Sequence, residues 1–157
     1  MSPPRFIVDS MLGTIAKKLR MLGFDTQYYN TINDDELIIS AKKEERTIIT
    51  KDQMLAVKAI NQDIPTIQIL THTEKEQMIE IAHKMSWKKL TLDNPRCSIC
   101  NGMLQKASKQ EIIGMIPPKV AELVQEFWQC DKCSHIYWVG THIRNLERLI
   151  AEINDTL

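Results

Sequence analysis

The chain has 157 residues, 43% of them apolar and 25% charged, an ordinary globular composition that suffices for one cored domain or a domain with a small appendage. Basic and acidic side chains balance at 20 each, so a polyanion must be met by a local patch and not by a global field. No apolar run nears the ~20 residues of a membrane span, and "MSPPRF" lacks the basic-then-apolar plan of a signal peptide, so a cytoplasmic protein is expected.

In chain order, strand and helix patterns alternate. Phe6-Ile7-Val8 predicts a buried strand, closed abruptly by the charge of Asp9. Leu12, Ile15, Leu19 and Leu22 keep helical spacing, and Gly23 supplies a stop. "DTQYYN" predicts a weaker strand, "DDELIISAKKEE" an amphipathic helix, "TIIT" a short strand and "DQMLAVKAI" another helix. "TIQIL" is the fourth strand, and Met78, Ile81, Ala82 and Met85 make one helical stripe. The rhythm predicts an α/β fold, a parallel sheet with helices on both faces and right-handed crossovers. Ligands of such sheets sit beyond the C-terminal strand ends, at a topological switch point. The rhythm breaks near residue 90, which predicts an α/β core over 1–93, a cysteine-bearing segment over 94–141 and a final helix over 142–157, with Ile143, Leu146, Ile150 and Ile153 on its apolar side.

Acids gather where these strands end. Asp9 ends the first strand, Asp52 ends the third, and Asp34 opens the helix between the second and third. Three carboxylates converging on one sheet edge resist ionising together. Mg²⁺ or Mn²⁺ removes that penalty, and such a site activates water and stabilises charge developing on a phosphodiester. Each acid alone also reads as a helix cap or first-turn acid, and Asp35 and Glu36 are alternatives to Asp34.

The four cysteines stand as Cys97-x-x-Cys100 and Cys130-x-x-Cys133. Two such turns deliver four thiolates to one tetrahedron, which predicts a structural zinc with no open position. The 29 residues between them (101–129) leave room for a hairpin-based ribbon. A redox role is the lesser alternative, since neither pair opens a helix after a strand. Trp128, Tyr137 and Trp138 flank the second pair, and at least two of them are expected in the ribbon core. His72 and His83 are expected on the surface, and His135 outside the zinc sphere.

"FIVDSMLGTIAKKLRMLGFDT", "NDDELIISA" and "RTIITKD" resemble the core motifs of PIN-type nucleases. "PRCSICNG", "PPKV" and "EFWQCDKCSHIYWVGTH" extend the likeness, which is closest to the Mut-seven C-terminal RNase domain, a PIN-like three-layer α/β/α core carrying a zinc ribbon. The resemblance implies metal-dependent hydrolysis of RNA, with Asp9, Asp34 and Asp52 at the acidic positions. In that reading Asp9, Asp34 and Asp52 hold Mg²⁺ or Mn²⁺, and water attack leaves 5′-phosphate and 3′-hydroxyl ends. Ser10, Lys17, Arg20, Lys51 and His142 are candidate RNA contacts. Lys51 stands where arginine is more usual, which keeps the charge but loses bidentate phosphate geometry, and Ile143 stands where an aromatic is more usual. The rival readings are a non-catalytic RNA- or protein-binding adaptor and a phosphatase. The second is weak, because Asp9 is followed by Ser10 and Met11 without a second Asp.

Overall fold

Strand alternation sorts the apolar residues onto two faces of one sheet, and each face gathers its own helices. A computed structural model describes residues 2–157. Its first half runs β1 (Phe6–Val8), α1 (Gly13–Met21), β2 (Thr26–Tyr28), α2 (Asp34–Glu44), β3 (Thr47–Thr50), α3 (Gln53–Ile60), β4 (Thr66–Gln68) and α4 (Glu74–Lys84). The four strands are parallel, in the order β2-β1-β3-β4. Phe6, Val8 and Ile49 face a core built with Ile15 and Leu19 of α1 and Met78 and Ile81 of α4. Ile7 and Ile48 face the opposite core, built with Leu37 and Ile38 of α2 and Leu55 of α3. The expected three layers follow from this period of two.

The chain leaves β1 toward β2, then returns past β1 to lay down β3 on its other side. That reversal makes the C-terminal ends of β1 and β3 the switch point, where ligands of parallel sheets collect.

The predicted stop at Gly23 is met by a left-handed φ of +93°. Its N–H donates to the Arg20 carbonyl at 2.9 Å and that of Phe24 to the Leu19 carbonyl at 3.0 Å, the paired closure that glycine permits at a helix end. A Cβ there would stand 2.8 Å from the Asp93 carbonyl oxygen, so the linker to the second half passes too close for any side chain.

The second half is β5 (Leu104–Ala107), α5 (Lys109–Ile112), α6 (Pro118–Leu123), β6 (Phe127–Cys130), β7 (Ile136–Tyr137) and α7 (Thr141–Asn154). β5, β6 and β7 form an antiparallel sheet. The connection between β5 and β6 is longer than a plain hairpin: it carries α5 and α6, with Pro118 opening α6, where its missing N–H costs nothing. Ile112 of α5, Ile116 of the link between the two helices and Val120 of α6 pack on Phe127 and Ile136. The final helix returns to the first half, and Ile150 and Ile153 join the α1–α4 core.

The two halves are tied at the outer edge of β2. The Thr26 N–H donates to Asn101 Oδ1 at 3.0 Å, and its carbonyl accepts from Arg20 Nε at 2.9 Å. Asn101 Nδ2 donates to Asp25 Oδ1 at 2.7 Å, and Arg46 Nη1 reaches the same oxygen at 2.9 Å. Burial opposes ionisation of Asp25, but Arg46 and Asn101 outweigh it and hold the carboxyl at about 2, down from 3.8. The folded pKa is depressed, so the stability from this group is present above about pH 4 and lost as pH falls through 2. Urea unfolding is expected to show a loss on the order of 2 kcal/mol across that window. Asp25→Asn, less stable at neutral pH, is expected to lack this acid step.

Candidate active site and metal centre

Hydrogen bonds hold the acid that breaks the first strand pattern. Asp9 follows β1 directly and is only 8% exposed. Its Oδ1 accepts the Ser10 N–H at 2.8 Å, and its Oδ2 accepts the Thr50 hydroxyl at 2.8 Å. Thr50 Oγ1 in turn accepts the Asp52 N–H at 3.0 Å. One threonine at the end of β3 therefore links the acids of two adjacent strands, and it fixes which way the Asp9 carboxylate is turned. Tyr28, at the end of β2, donates its hydroxyl to the Ser10 carbonyl at 2.8 Å and steadies the same turn.

Asp52 caps α3, with Oδ1 accepting from the N–H groups of Met54 and Leu55 at 2.9 and 3.3 Å. Asp34 has no such duty. Asn33 caps α2, accepting the Glu36 N–H at 2.8 Å. The Asp34 carboxyl is pushed above its ordinary value, first by burial and then by the charges of Asp52 and Asp9, with Lys58 opposing. Its neighbour Asp35 pairs with the Lys58 ammonium. Asp34 is thus within electrostatic reach of both Asp9 and Asp52, while Asp35 is engaged by Lys58. An acid whose ionisation is opposed by two neighbouring carboxylates suits a hard dication.

Among the described residues, the carboxyls do not close into a set within 4.8 Å; the four cysteines do. The knuckles are near-copies of each other. Cys97 N–H donates to the Gly102 carbonyl and Cys130 N–H to the His135 carbonyl, at 2.8 and 2.9 Å. Asn101 and Ser134, which close the two turns, are both left-handed, at φ 71° and 66°. A Cβ at Gly102 would stand 2.6 Å from Cys130 Sγ, so the first turn needs glycine to admit the second pair. Sγ separations are 3.5 Å for Cys97–Cys133 and 3.4 Å for Cys100–Cys130, near the ~3.8 Å tetrahedral edge that Zn–S bonds of about 2.3 Å imply. Burial and neighbouring thiols raise Cys100, and they push Cys133 up to about 12. Burial opposes the Cys130 thiolate as well, but the N–H groups of Cys133 and Lys132 outweigh it and bring that thiol down to about 7, and a zinc ion would deprotonate the thiols it binds.

The Mut7-C RNAse domain family matches this sequence over residues 4–150. The chain belongs to that family. No curated protein and no solved structure matches it. The Mut7-C match spans the acid edge, both knuckles and the first part of α7, so the two sites described above belong to a single family unit.

The basic residues of this Mut7-C domain divide differently from the sequence expectation. Arg20 was expected on the polar side of α1 as an RNA contact, but it is 5% exposed. Its Nη1 donates to the Ser98 and Ile99 carbonyls at 2.9 and 3.2 Å, and Cys100 and Cys97 act on it electrostatically. Zinc with four thiolates would be a net dianion, and buried Arg20 would stand beside it as a counter-charge. Lys51 and Ser10 flank the acids in sequence and are half-buried. Lys17 and His142 are exposed and line a cleft beside the ribbon. Tyr137 is tied to the first knuckle, its hydroxyl 3.0 Å from Ser98 N and 3.1 Å from Cys97 Sγ. Thr50 was missed by the sequence reading. Its only signal is a hydroxyl at the end of a short apolar strand, two residues before Asp52. No helix of the Mut7-C domain is long and apolar enough to cross a membrane among the described residues.

Proposed function

We propose that this domain is a Mg²⁺- or Mn²⁺-dependent endoribonuclease that hydrolyses RNA phosphodiester bonds and leaves 5′-phosphate and 3′-hydroxyl ends. The observation that carries this reading is the pair Asp9 and Asp52 at the ends of the adjacent strands β1 and β3, joined through the Thr50 hydroxyl, in a chain that belongs to an RNase domain family. Asp9, Asp34 and Asp52 would hold the cation, which when bound neutralises the phosphodiester and lowers the pKa of a water. The chain's own residues fix the geometry. Thr50 and Ser10 orient the two oxygens of Asp9, and the α3 amides orient Asp52. Lys51, between Thr50 and Asp52, offers a positive charge to a phosphate. In this reading residues 1–93 carry the chemistry, 94–141 the structural zinc, and 142–157 close the core.

The capping bonds of Asp52 favour one rival, a non-catalytic ribbon adaptor in which the acids only terminate helices. Labelled single-stranded RNA incubated with Mn²⁺, with and without chelator, separates the two. Cleavage is expected with Mn²⁺, to vanish with chelator, and to fall ~10²–10³-fold in Asp9→Asn, the loss of several kcal/mol of transition-state stabilisation. Cleavage that survives Asp9→Asn would remove the acids from the reaction, and cyclic phosphate ends would exclude hydrolysis by water.

A further inference from the structure

A cleft of about 420 Å³ lies between α1, the first knuckle, β7 and the start of α7. Lys17, Lys18, His135, His142, Tyr137 and Trp138 line it, and no aspartate or glutamate does. In a chain whose 20 acids balance its 20 bases, this is a local separation of charge. Lys18 is partly answered by Glu74 at 2.9 Å, which leaves exposed Lys17 as the free cation and His135 and His142 as exposed donors. No side chain caps α7 at Gly140, so the first amides of that helix add partial positive charge to the same wall. The aromatic wall is rigid. Tyr137 is anchored through its hydroxyl to Ser98, and Trp138 packs edge-on against Phe127 at 6.2 Å. Both rings remain half-buried, with the cleft on their open side.

We propose that this cleft is an RNA subsite for a splayed, single-stranded nucleotide beside the scissile phosphate, its base against Tyr137 and Trp138 and its phosphate at Lys17, His142 and the α7 amides. The identity of the ligand rests on the nuclease reading, while the residues are separate from the acids. α1 joins the two places. It starts just after the turn that Asp9 caps, and Lys17 and Met21 lie about 6 and 12 Å along it at 1.5 Å per residue. A neighbouring cleft of about 370 Å³ shares Met21, Tyr137, Trp138 and Ile143 and adds Trp128, so the path continues across the ribbon. Stacked bases in a duplex cannot reach an aromatic wall, whereas splayed bases of a single strand can. The domain therefore selects single strands at this subsite.

The test uses the full chain carrying Asp9→Asn, so that binding is read without cleavage. Fluorescence anisotropy compares a ~12-nucleotide single-stranded RNA with the same sequence in a duplex. Adding Lys17→Glu and His142→Glu, both on exposed positions, is expected to weaken single-strand binding at least tenfold and to flatten its salt dependence by about one to two in slope. RNA is also expected to quench tryptophan emission, less so in Trp138→Phe, a change that keeps an aromatic ring against Phe127. Unchanged affinity and quench in these variants, or equal affinity for duplex, would overturn the subsite, even with Mn²⁺-dependent cleavage by the parent intact. A parent that binds single strands through these residues yet cleaves nothing would keep the subsite and overturn the nuclease reading.

Discussion

Asp34→Asn is expected to remove Mn²⁺-supported RNA cleavage by ~10²–10³-fold while leaving the cation-free fold as stable as the parent or more so. The sign comes from the surroundings. Burial first, then Asp52 and Asp9, raise the Asp34 carboxyl. A raised acid binds its proton more tightly folded than unfolded, so the stability it contributes below its ordinary pKa is lost as pH rises from that value through the higher folded one. At neutral pH the ionised side chain is a liability in the cation-free protein, and a neutral amide relieves it. A bound dication reverses the balance, so thermal melts are expected to rise with Mn²⁺ in the parent and stay flat in Asp34→Asn. Asp35→Asn is the control. It breaks an exposed pair with Lys58, which stabilises little, and cleavage is expected to persist. An Asp35 variant that is dead beside an active Asp34 variant would reverse the assignment.

Withdrawal of zinc is the other large effect. Four thiolates in a closed tetrahedron contribute binding free energy on the order of 10 kcal/mol or more to the folded state. The ribbon core that remains, Ile112, Ile116, Phe127 and Ile136, is small. One zinc per chain is expected by elemental analysis. Cys97→Ser, at the buried ligand that also contacts Tyr137, is expected to abolish the near-ultraviolet dichroism of Trp128, Tyr137 and Trp138. The damage should spread to the first half, because Asn101 of the first knuckle holds the Thr26 amide of β2 and Arg20 of α1 is held by the Ser98 carbonyl of that knuckle. A zinc-free protein with an unchanged melt would show that the cysteines are not structural ligands.

The elements were legible because they obey local rules. "TIIT" became β3 and the Met78–Ile81–Ala82 stripe became the inner face of α4, since period and burial agree there. Asp9 stood out because a charge ended an apolar strand. The fold's long-range ties were not legible in this way. Arg20 flanks the apolar stripe of α1, and nothing within a helical turn says that the Ser98 and Ile99 carbonyls, far along the chain, will cover it. Asp25, Arg46 and Asn101 look like three ordinary surface residues until the ribbon docks. Thr50 reads as a strand former, and only the adjacency of β1 and β3 turns its hydroxyl into a link between acids. Helices α5 and α6 escaped because they are too short to show a period.

The ties at Thr26 have a bearing on solubility. An outermost strand with a free amide and a free carbonyl is a template on which another molecule can add a strand. Here both groups are occupied by side chains, Asn101 and Arg20, and the first is delivered by the ribbon. A metal held by the four cysteines would thereby act at a distance as a guard against self-association: a protein deprived of it would bare this margin of the sheet, and precipitation would be the visible result before the α/β core itself melts.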